Sequence, residues 1–244
     1  MTPPPVVHTC DEHSSVYHHL VADGAQGLAL THLDAHCDLR GTLIDLEAGS
    51  AWLRRTPLPL SGSTYLSHLV AERVVFDVDW VHDEVGGRDN DLFTVLYTSD
   101  LDRFPYTLVR RPAGPGVVLT YRETGYAAWR HRDPDRVLDI DWDFFADWRK
   151  PRDRTSREIA DLLDHKLEVA PRRVYVAYSP HYSRPDRAAY TDFVSRLARR
   201  LSARVVALPE APVPRAGALA RALPHSWRRL LRASAVRAKR ALVR

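Results

Sequence analysis

Apolar and polar positions along this chain fall into short runs of two kinds. Gly27–Leu33 is apolar at nearly every position, and Leu28–Leu33 reads as a strand buried on both faces, as in a parallel sheet. Val6–Thr9, Arg73–Trp80, Phe93–Thr98, Val117–Thr120, Arg136–Ile140, Val174–Tyr178 and Arg204–Leu208 also have strand composition. Between them lie segments of helical period. These are Ser14–Ala22, with Ser14 or Ser15 as N-cap, then Tyr65–Ala71, Ser156–Val169 and Arg187–Leu201. In Ser156–Val169 the residues Ile159, Leu162, Leu163, Lys166 and Leu167 share one side. Turns are expected at Gly86–Asp91 and Pro112–Gly116. Strand and helix alternate, which predicts an α/β fold with three layers, α/β/α, around a mostly parallel sheet.

The second strong pattern is polar. Asp34-Ala35-His36-Cys37-Asp38 follows the apolar run, and Asp139-Ile140-Asp141 ends a later one. If the first segment stays extended, Asp34, His36 and Asp38 point the same way. Two such clusters leaving neighbouring strands converge beyond the strand ends, where ligands bind in open α/β sheets. Carboxylates and imidazoles packed that densely need a cation between them. The expectation is a metal site, with two ions. His32 shares the alternation but reads more simply as a satisfied core histidine. Asp143 reads as a third ligand, a hydrogen-bond acceptor for a histidine, or a substrate carboxylate.

Composition changes this picture little. The chain has 244 residues, 45% hydrophobic and 27% charged, which is ordinary for a soluble protein. No run is long enough for a membrane span, and the N-terminus has no secretory pattern. With only Cys10 and Cys37 there is no disulfide framework, so a reducing cytoplasm fits. Arginine far outnumbers lysine, which suggests a GC-rich, bacterial genome.

Charge adds one feature. The net charge of +4 hides nine basic and no acidic residues after Glu210, so residues 1–210 carry about −5. Residues 1–208 are therefore expected to form the domain, and 209–244 a Pro-rich linker with a basic amphipathic helical extension. The extension reads as a helix docked on the body, a contact for an acidic partner or peptide, or a contact for membrane surface or nucleic acid. No nucleic-acid motif is present, and none is expected as partner. Homo-oligomerisation stays open.

The segments Leu33-Asp34-Ala35-His36-Cys37-Asp38 and Val137-Leu138-Asp139-Ile140-Asp141, with Asp11-Glu12-His13-Ser14 upstream, resemble the ureohydrolases, arginase and agmatinase among them. The phrases around them look closest to a small divergent branch that includes peptide arginases, which convert arginine to ornithine within precursor peptides. The resemblance implies an arginase/deacetylase-like fold, two Mn2+ ions and release of urea. Carried over, it implies one ion on His13, Asp34, Asp38 and Asp139. The other would lie on Asp34, His36, Asp139 and Asp141, with Asp34 and Asp139 bridging. Carboxylate oxygen with some imidazole suits manganese. Two ions sharing a water lower its pKa, and hydrolysis of a guanidinium also needs a proton donor.

Trp80-Val81-His82-Asp83-Glu84 offers His82 as proton shuttle and Glu84 or Asp83 as partner for a guanidinium. Ser179-Pro180-His181-Tyr182 offers His181 as the other shuttle. The glutamate that grips the guanidinium in ordinary arginases has no counterpart near the late strand, and no segment for an α-carboxylate is evident. The first departure counts against free arginine as substrate, and against guanidine hydrolysis itself; the second fits arginine held within a precursor peptide, whose α-groups are amides. The other readings are a small-molecule ureohydrolase, an amide or amidine hydrolase, or a metal-stabilised peptide-binding protein.

Overall fold

A computed structural model describes residues 4–53, 59–83, 95–97, 117–147 and 150–210. The expected turns at 86–91 and 112–116, Glu84, and the basic extension after Glu210 lie outside the described residues. In chain order the elements are β1 (Val6–Cys10), α1 (Ser14–Ala22), β2 (Leu28–Leu33), β3 (Thr42–Asp45), β4 (Ser50–Leu53) and α2 (Tyr65–Ala71). Then come β5 (Val75–His82), β6 (Val95–Tyr97), β7 (Val117–Gly125), β8 (Val137–Asp141) and α3 (Asp143–Ala146). They are followed by α4 (Arg152–Asp161), β9 (Arg173–Ala177), α5 (Arg187–Leu201) and β10 (Arg204–Ala207).

The strands form one ten-stranded sheet in the order β10-β1-β9-β8-β2-β5-β7-β4-β3-β6. Pairing is parallel except where β4 meets β3 and β7. Side chains alternate between two cores, as strand geometry requires. On one face Cys10, Leu30, Val78, Val137 and Ala177 pack under Val16 and Leu20 of α1 and Leu66 and Leu69 of α2. On the other, Val7, Leu33, Ile140 and Val176 pack under Phe144 of α3, Ile159 of α4 and Phe193 and Leu197 of α5. The result is the expected α/β/α layering. No described helix is long and apolar enough to cross a membrane.

Several expectations shift. The strand expected at 73–80 lies two residues later, and β7 runs on to Gly125. The hairpin of β3 and β4 was not foreseen. It turns through Gly49, whose φ of +59° suits a residue without Cβ, and Ala48 donates to Asp45 Oδ1 at 3.0 Å. The helix expected over 156–169 starts earlier, at Arg152, and widens into a π-turn over Leu162–Lys166. There Lys166 Nζ is buried and donates to the carbonyls of Tyr126 and Ala127, each at 2.8 Å. α1 is capped by His13, not by Ser14 or Ser15, and with no side-chain hydrogen bond. The His13 side chain is committed elsewhere.

A candidate metal centre at the strand ends

β1, β9, β8 and β2 lie side by side and end together. Cys10 and Asp141 both face Ala177, and Leu33 faces Ile140. Each ligand-type residue therefore leaves the sheet at the same edge. His13 follows β1 and Asp34 follows β2, while Asp139 and Asp141 end β8.

Contrary to the extended geometry expected of it, Asp34–Asp38 curls. His36 N donates to Asp34 Oδ1 at 2.7 Å, and Asp38 adopts a left-handed φ of +52°. The curl brings Asp34 and Asp38 toward His32 Nε2 and turns His36 toward Asp143. Asp34 is fully buried and Asp38 nearly so, whereas the His36 side chain is 31% exposed. The indole of Trp80 pins the bend by donating to the Asp34 carbonyl at 3.0 Å.

His13, Asp34 and Asp141 form one grouping able to hold a cation, and Asp34, His36 and Asp143 another. His32 joins two more, one with His13 and Asp139 and one with Asp34 and Asp38. Asp143 thus stands among the ligand-type groups, 3.2 Å from His36 Nδ1. The chemistry of these residues fits a bound cation. His13 Nε2, His32 Nε2, Asp34 Oδ2, Asp139 Oδ1 and Asp143 Oδ2 are buried without a hydrogen bond. Buried polar atoms are rarely left so, and imidazole nitrogens with carboxylate oxygens are the donor set of a hard or borderline divalent ion.

The protonation states are those of a cluster that favours positive charge. Burial alone would depress His13, but Asp139 and Asp141 raise it well above 6.5. His32 is likewise opposed by burial and lifted by Asp34 and Asp139 to about 10. Burial, then Asp34 for one and Asp143 for the other, pushes Asp38 and Asp141 up to about 6. Asp139 goes the other way, held below the usual carboxylate range against burial by His13 and His32. A cation entering at pH 7 must displace imidazole protons, so uptake releases protons and affinity rises with pH. Titration calorimetry of Mn2+ in buffers of different ionisation enthalpy should show the release; heats independent of buffer would contradict it. Asp38 and Asp141 also hold their protons more tightly folded than unfolded. Their contribution to metal-free stability is present below about pH 4 and lost as pH rises through about 6.

No family model matches the chain, and no curated protein does. Among solved structures, proclavaminate amidinohydrolase from Streptomyces clavuligerus is similar, with a TM-score of 0.37 and 16% identity. The match covers 81% of this chain and 62% of that one, so the chain spans less than two thirds of that structure. At that distance the site is read from its own geometry.

The remaining residues separate by position. Ser179 has a left-handed φ of +46°, a conformation costing a non-glycine residue on the order of 1 kcal/mol, and its Oγ donates to Asp141 Oδ2 at 2.6 Å. Two residues on, His181 Nε2 lies 3.4 Å from Glu12 Oε1, and the Tyr182 ring sits 5.3 Å from that of His36. The loop after β9 therefore walls the cluster and carries His181 beside it. His82 ends β5 with its ring 4.9 Å from that of Trp80. Asp83 lies 2.9 Å from Lys150 Nζ and is also bonded by Arg154 at 2.5 Å.

Proposed function

We propose that this protein is a divalent-metal hydrolase of guanidino groups, using two Mn2+ ions to convert peptidyl-arginine to peptidyl-ornithine and urea. The observation that carries the metal part is the buried cluster of imidazoles and carboxylates with its orphaned atoms. The guanidino part rests on the motif resemblance. Asp34 stands in three of the four groupings and is the carboxylate suited to sharing. His13 and Asp141 with Asp38 would hold one ion, and His36 and Asp143 the other, with Asp139 beside His13. Ions held there supply the charge that makes water nucleophilic at neutral pH.

The chain's own groups do the rest. Ser179 fixes Asp141. His181, placed against Glu12, is positioned to deliver a proton to the leaving amine, and Glu12 offers a carboxylate to a planar cation. His82 is the second shuttle candidate, but its ring packs on Trp80 instead of facing a carboxylate. His181→Ala should lower kcat by about 100-fold with little change in KM, whereas His82→Ala should change kcat far less. The reverse order would exchange their roles.

The test is urea release by Mn2+-loaded protein from free arginine, agmatine and acetyl-Gly-Arg-Gly-amide. Urea from the peptide supports the proposal, and urea only from arginine or agmatine moves it to small-molecule chemistry. Metal-dependent melting with no urea from any probe would favour a metal-stabilised binding protein.

A further inference from the structure

His32 is the cluster member that neither the motif nor the proposed ligand sets employ. It is fully buried one residue before the end of β2, with Asp139 of β8 as its register partner. Its two ring nitrogens meet different surroundings. Nδ1 is 2.9 Å from Asp139 Oδ2 in good hydrogen-bond geometry. Nε2 has no hydrogen bond, yet lies 3.0 Å from Asp34 Oδ2 and 3.7 Å from Asp38 Oδ2. A histidine whose one nitrogen donates to a buried carboxylate, and whose other lies within ion-pair distance of two more, has the arrangement of a metal ligand. The donated bond fixes the tautomer and aims the remaining lone pair.

A third residue completes this support. Tyr65, the first residue of α2, is fully buried, and its hydroxyl donates to the same Asp139 Oδ2. That hydroxyl is 3.2 Å from His32 Nδ1, and the Tyr65 ring lies flat against His13, with centroids 4.8 Å apart and planes 11° apart. The start of α2 is itself pinned. Thr64 Oγ1 donates to the Pro59 carbonyl at 2.9 Å and accepts from Ser61 N at 2.8 Å. With both hydrogen bonds on Oδ2, Asp139 keeps Oδ1 for the His13 side, 3.5 Å from His13 Nε2.

We infer that His32 ligates a divalent cation through Nε2 together with Asp34 and Asp38, and that Asp139 and Tyr65 act as positioning residues for it. Asp139 would then position this histidine through Oδ2 and keep Oδ1 for a cation. The inference rests on the metal reading but not on the hydrolysis proposed from it.

Metal binding tests it without turnover. The full chain would be titrated with Mn2+ and loaded with Cd2+ after 15N-histidine labelling. Three histidines, His13, His32 and His36, should show nitrogen–cadmium coupling in the wild type, and two in His32→Gln. Mn2+ affinity at one of two sites should fall on the order of 100-fold in His32→Gln and about 10-fold in Tyr65→Phe. The Phe variant keeps the ring and tests the hydroxyl even if His32→Gln fails to fold. Wild-type coupling counts in His32→Gln, or unchanged Mn2+ affinity in Tyr65→Phe, would overturn the inference. Bound metal with no urea from any probe would leave it standing and sink only the hydrolase; a wild type binding no metal would sink both.

Discussion

Asp34→Asn should abolish urea release and metal binding together, while the metal-free variant melts above the metal-free wild type. Asp34 is fully buried, and its carboxyl is raised above the usual range by burial, then by Asp143 and Asp141. In the absence of a cation its charge is a cost to the fold, and a neutral amide of the same shape removes it. With the cation the sign reverses. Ligand present at 100 times its dissociation constant stabilises the native state by about 2.7 kcal/mol, which for a domain of this size is a shift of several degrees. The wild type should therefore gain melting temperature on loading with Mn2+, and the Asn variant should not. Differential scanning fluorimetry with and without Mn2+, beside a urea assay, reads both effects. Two ions bound at wild-type affinity in the variant would remove Asp34 from the centre.

Lys150→Ala should give the largest loss of stability outside the core. Lys150 is buried, with its ammonium 2.9 Å from Asp83 and 3.1 Å from Glu158, and Arg154 binds Glu158 at 2.7 Å. Its Nζ also lies 4.5 Å from the Phe144 ring centroid. Removing the ammonium leaves two buried carboxylates to share one guanidinium, a change that costs about 3–5 kcal/mol and on the order of 10 °C in Tm. Adding Asp83→Asn to the variant should recover part of the loss, because one of the two buried carboxylates competing for Arg154 loses its charge. Asp83 follows His82 directly, so the same substitution should loosen the end of β5. A melt of Lys150→Ala within a degree of wild type would mean that the network contributes nothing.

Much of the fold was legible because burial dictates it. Leu28–Leu33 must be a strand when both of its faces are covered, and the stripe Tyr190, Phe193, Val194, Leu197, Leu201 admits only a helix. β3 and β4 escaped because each has only four residues, and pairing rather than composition makes them strands. At the site, residue types were legible and their directions were not. Alternation along a strand applies only while the strand lasts, and β2 ends at Leu33, so the curl at Asp34–Asp38 overrode it. Tyr65 carries no sequence signal for the centre. It arrives through packing of α2 against the sheet, a contact that no local pattern encodes. His32 read as a core histidine because one sequence cannot show that Asp34 and Asp38 would bend back toward its far nitrogen.

Strand order also sets when the centre can exist during synthesis. β1 and β2 are made first, yet the places between them belong to β9 and β8. The Cys10–Ala177 pairing closes only when chain made far later has arrived. Contacts so distant in sequence make folding slow, because the loop must close before any pairing rewards it. An N-terminal fragment that stops before Val137 carries His13, Asp34 and His36 but has no β8 to bring them together. On the metal reading proposed above, loading would thus be a late event, with the ion closing a site whose strands are already paired.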